Sequence, residues 1–87
     1  MGQITASGDV LEYVNGTDLV VFDNVTRSTH LLEAPTSLVY QVIRKEISIP
    51  EELIGEICGT ANIEIGDEEL ESVLENLSEV NLIERTM

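Results

Sequence analysis

Among side chains that serve as bases, nucleophiles or metal ligands, the 87-residue chain offers one histidine and one cysteine. A catalytic base needs a nucleophile within reach, and a metal ion needs three or four ligands. One imidazole and one thiol complete neither set. His30 stands between Thr29 and Leu31 in a β-rich run and reads as a structural or ligand-contacting residue. Cys58 falls on the apolar stripe of a predicted helix, where a thiol behaves as a small core hydrophobe. As the only cysteine it forms no internal disulfide. The acids Glu64, Asp67, Glu68, Glu69 and Glu71 cluster in sequence, but they lack the D-x-[DN]-x-[DN]-G spacing of a calcium loop. The six glycines are scattered at turns, so no glycine-rich loop cradles a phosphate. These residues point to a protein that is not an enzyme and takes no metal or cofactor.

Charge narrows the partners. Seventeen acids against four bases give a net charge of -13. Residues 1–45 hold five acids and three bases, whereas residues 46–87 hold twelve acids and Arg85 alone. Phosphate backbones are bound by Lys and Arg that displace counterions, so nucleic acid is excluded as a partner, and an anionic membrane surface falls with it. The N-terminal MGQITASGDV has no basic segment followed by an apolar run, and no apolar stretch approaches the length of a span. The expectation is a soluble, cytoplasmic protein.

The elements that must position any site follow from periodicity. Residues 1–8 are small and polar and read as a flexible N-terminal tail, with 9–87 a single domain. From Val10 the pattern has a period of two. Leu11-Glu12-Tyr13-Val14 runs into Asn15-Gly16, then Leu19-Val20-Val21-Phe22, and Asn-Gly between β-rich runs is a strong hairpin signal. A second turn at Asp23-Asn24-Val25-Thr26 leads to a third strand over 27–32. The period then becomes helical. Leu38, Val39, Val42 and Ile43 form the stripe of a first helix that ends near Arg44-Lys45, basic residues that suit its dipole. Ser48-Ile49-Pro50-Glu51 has the spacing of a capping box opening a second helix, with Leu53, Ile54, Ile57 and Cys58 on its stripe and Gly59 as its stop. Asp67 caps a third helix carrying Leu70, Val73, Leu74 and Leu77, and Asn81 ends it before Leu82-Ile83 turn back onto the core. The expected fold is α+β: a three-stranded antiparallel meander followed by three helices (βββααα), a small winged-helix-like domain.

This order, with its motifs, resembles the PqqD-like peptide chaperones, also called RiPP recognition elements. The resemblance spans residues 10–85. It rests on the opening hairpin Leu19-Val20-Val21-Phe22-Asp23, on the strand-to-helix segment Thr29-His30-Leu31-Leu32-Glu33-Ala34-Pro35-Thr36-Ser37-Leu38-Val39, and on the ending Leu77-Ser78-Glu79-Val80-Asn81-Leu82-Ile83. Glu33-Ala34 stands where the family commonly has Asn-Pro, and Asn81 replaces its usual glycine. Asn is the best non-glycine residue for a left-handed helix stop. Such domains bind the leader of a ribosomally made precursor peptide and present it to a modifying enzyme, such as a radical enzyme, or to a leader protease; lasso peptides are one product class.

The resemblance implies strand addition: the leader pairs with the open edge of the third strand and rests against the third helix, with alternate side chains read in a groove. On this chain the contacts would come from Arg27, Ser28, Thr29, His30 and Leu31 on the strand, and from Glu69, Val73, Asn76 and Val80 on the helix. The other helix flank, with Glu71 and Ser78, is the competing choice, and Val73 and Val80 also fit as plain core residues. The acidic second half would steer a leader carrying Lys or Arg. A homodimer through the same edge is a further expectation. The alternative is an acidic winged-helix protein-interaction or regulatory domain. A DNA-reading version would need a basic recognition helix, whereas residues 67–79 hold six acids and no base. A carrier-type protein fits less well. Thr36-Ser37-Leu38 lacks the aspartate of the Asp-Ser-Leu attachment site of acyl carrier proteins, and the first third is β-rich rather than helical.

Overall fold

The computed structural model describes residues 2–6 and 8–86. Its elements, in chain order, are β1 (Gln3–Ala6), β2 (Val10–Asn15), β3 (Asp18–Asp23), β4 (Ser28–Leu32), α1 (Thr36–Glu46), β5 (Ser48–Pro50), a 3-10 turn (Glu51–Leu53), α2 (Ile54–Thr60), α3 (Asp67–Glu79) and β6 (Ile83–Thr86). The strands form two antiparallel three-stranded sheets, β2-β3-β4 and β5-β1-β6. The fold is α+β, as expected, and it contains three strands beyond the meander.

The meander is local. Asn15 pairs with Asp18, so the loop consists of Gly16 and Thr17, one residue later than the Asn-Gly signal suggests. Only Gly16 has positive φ (65°) there, as a type II′ loop requires at its first position. At the second turn, the Asp23 carboxylate accepts hydrogen bonds from the backbone N–H of Val25 (2.9 Å) and Thr26 (3.4 Å). Arg27 takes the left-handed conformation (φ 61°) before β4 begins at Ser28.

The second sheet joins both ends of the chain. Residues 3–6, expected within a tail, are its middle strand, paired with β5 at Ile4↔Ile49 and with β6 at Ile4↔Arg85. Ile4 is wholly buried, which holds this end in place despite its polar neighbours. Met1 and Ser7, also in the expected tail, lie outside the described residues. Ser48 and Pro50, read as a helix cap, are paired in β5 instead. Ser48 makes no side-chain cap, and the following turn is 3-10 before α2 starts at Ile54. α2 runs on past Gly59 to Thr60, and Asn62 takes the positive φ beyond it.

The helices seal the core between the sheets. α3 buries Leu70, Val73, Leu74 and Leu77, the predicted stripe. Asn81 has φ 62°, and Leu82 N–H bonds back to the Leu77 carbonyl at 3.0 Å, closing the helix as expected. α1 is rotated from the predicted stripe: Ser37, Val39, Tyr40 and Ile43 are buried, while Leu38 and Val42 are only half-buried. Ser37 donates from Oγ to the Thr17 carbonyl at 2.5 Å, which ties the first turn of α1 to the hairpin and brings the Tyr40 ring under the meander.

Candidate functional site

Directly opposed residues of paired strands share a face. Val21 opposes His30, and Leu19 opposes Leu32, so Ser28, His30 and Leu32 lie on the core side of β4. Thr29 and Leu31 lie on its outer side, beside Phe22 and Val20. Four of the five strand residues predicted for peptide contact, Ser28 to Leu31, therefore stand along one edge with no strand beyond it among the described residues. Arg27 belongs to the turn that precedes this edge. Leu31 is 61 % exposed. His30 is half-buried, and its Nε2 is shut off from solvent with no hydrogen-bond partner among the described residues.

The helical half of the predicted site divides. Val73 is 4 % exposed and belongs to the core, so it offers no surface to a peptide. Glu69 and Asn76 are exposed, and Val80, 37 % exposed, lies just past the end of α3. The competing flank is occupied: Arg85 of β6 donates from Nη2 to Glu71 Oε1 at 3.0 Å, and from Nε to Glu51 Oε1 at 2.9 Å. These hydrogen bonds, the one to Glu51 foremost, raise the Arg85 pKa and bind β6 to both α3 and the 3-10 turn. α3 packs on β6 and α1, whereas β4 pairs with β3. The two halves of the expected site thus rest on different neighbours.

A feature that sequence reasoning missed lies at the opposite edge. Glu12 opposes Val21 and Val14 opposes Leu19, so both point to the core side of β2. Yet both are exposed, Val14 by 57 %. β2 overhangs the helical layer, and beneath it opens a groove of about 610 Å³ lined by Glu12, Val14, Leu38, Val42, Lys45 and Ile63, among others. Arg44 spans part of it, with Nη2 3.1 Å from Glu12 Oε2. The only sequence signal was an acid on the core-facing side of β2, which needs the register to be noticed.

Beneath the meander, the buried Tyr40 hydroxyl also lacks a partner among the described residues. Burial raises its pKa to about 12; nearby Arg44 opposes the shift and Glu12 and Asp23 add to it. Burial likewise raises the Cys58 thiol, keeping it protonated and inert. Among the described residues, no three His, Cys, Asp or Glu side chains are grouped to hold a metal ion, and no helix is long and apolar enough to cross a membrane. The chain matches no family model, no curated protein and no solved structure.

Proposed function

We propose that this domain is a non-catalytic peptide chaperone that captures the leader of a ribosomally made precursor as an added strand on β4 and hands it to a processing enzyme. The observation that carries this is the β4 edge of a three-stranded sheet, open among the described residues, which alternates between half-buried His30 on one side and exposed Leu31 on the other. Main-chain pairing supplies affinity, and the alternating side chains supply selection. The resemblance of residues 29–39 and 77–83 to the peptide chaperones supports the same reading. The expected helical contacts reduce to Glu69 and Asn76 on α3 and Val80 just past its end, because Val73 is buried and Arg85 occupies the Glu71 flank.

The experiment is an amide NMR titration of the labelled protein with a synthetic leader-length peptide that carries apolar anchors and a basic residue. Saturable shifts concentrated at 28–32, lost in Leu31→Glu, support leader capture. Absence of saturable shifts at this edge overturns it.

A second reading has its own observation. Leu11, Tyr13, Val20, Phe22 and Leu31 share the outer face of the meander, and Leu11, Tyr13 and Leu31 are exposed. Two six-residue strands and one of five cover only about 300 Å², far below the roughly 800 Å² per partner of a standard interface. Such a face suits a small contact with a partner enzyme better than a stable homodimer.

A further inference from the structure

The groove under β2 combines three properties. Its upper wall is a strand edge that pairs with β3 on one side only. Its floor is apolar, because the rotation of α1 leaves Leu38 and Val42 half-buried there beside Val14 and Ile63. Its far end is cationic, since Arg44 and Lys45 supply two of the four basic side chains of a chain with net charge -13. Arg44 neutralises Glu12 across the groove. Lys45 is exposed and forms no ion pair within the described residues.

We propose that this groove is a second peptide site, which takes an extended acidic and apolar segment of a partner protein along the β2 edge. Added beside β2, such a segment directs alternate side chains inward. An apolar one fills the space under Val14, over Leu38 and Val42, and completes the layer that the overhanging strand leaves open. An acidic one near the end of α1 meets Lys45. The opposite polarity distinguishes this site from the β4 edge, where the leader reading expects a basic peptide. The two edges of one sheet would then hold two different peptide segments, and this site stands or falls independently of the leader reading.

The probe is a capped peptide alternating valine and threonine and ending in two glutamates, with a lysine-ended counterpart as control. The glutamate form is expected to shift the amides of Glu12, Val14, Val42, Lys45 and Ile63 saturably, and to do so equally in Leu31→Glu, which alters only β4. Lys45→Glu weakens it by up to about fivefold, the upper range for one exposed charge pair. Lys45→Glu is a surface change, and its unperturbed amide spectrum elsewhere verifies the fold. Equal binding of the two peptides, shifts confined to 28–32, or no saturable shift at millimolar peptide each overturn the proposal.

Discussion

The two sheets are built from the same strand geometry by opposite means. The meander β2-β3-β4 uses consecutive strands joined by loops of two and four residues. The sheet β5-β1-β6 gathers strands of three, four and four residues from the middle, near the start and near the end of the chain. Closing a long loop costs more entropy than closing a hairpin, so the second sheet exists only because burial stabilises it. Ile4, Ile49 and Ile83 are all buried. The difference teaches where each region is vulnerable: the meander at its turns and open edges, the second sheet at its few apolar anchors.

The largest expected effect tests those anchors. Ile4→Ala is expected to lower stability by about 2–5 kcal/mol and to release both ends of the chain together, seen as loss of amide protection in residues 3–6, 48–50 and 83–86. If protection falls at β1 alone, the sheet is not one unit. Next in size is alkaline unfolding. Tyr40 binds its proton more tightly when folded, so the stability it contributes is complete below pH 10 and is lost as pH rises towards about 12. The loss amounts to about 3 kcal/mol. Tyr40→Phe abolishes this component of the pH titration and, by removing an unpartnered buried hydroxyl, raises neutral-pH stability by about 1 kcal/mol.

The meander's own weak point is its first turn. Gly16→Ala places a side chain at φ 65° and is expected to cost about 1–2 kcal/mol, read by chemical denaturation, with chemical-shift changes centred on the β2-β3 hairpin. The smallest effect lies at the second sheet's surface. Arg85→Gln removes the hydrogen bonds to Glu51, which is part-buried, and to exposed Glu71, at a cost of about 1 kcal/mol. Raising the salt concentration reduces the difference between Arg85→Gln and the parent protein.

How much was legible follows the same division. The meander, the α3 stripe and the stop at Asn81 depend on neighbours within a few residues, and each was visible as periodicity or turn chemistry. Ser48-Ile49-Pro50-Glu51 satisfied a local helix-start pattern, yet pairing with residues 3–5 outweighed it. Of the expected peptide contacts, Ser28 to Leu31 share an edge because adjacent strand residues must. Val73 proved to be core, since one helical stripe cannot both seal the interior and face a groove.

The sequence alone determined the α+β class, the acidic character of the second half and the open meander, because composition and short-range patterning carry them. Tertiary structure decided that residues near the start of the chain form a central strand, that α1 turns Ser37 and Tyr40 inward, and that β2 overhangs an apolar groove with a cationic end. Each of those outcomes depends on which distant surfaces bury one another. That choice is made by the summed packing of the whole core, and no local window of residues contains it.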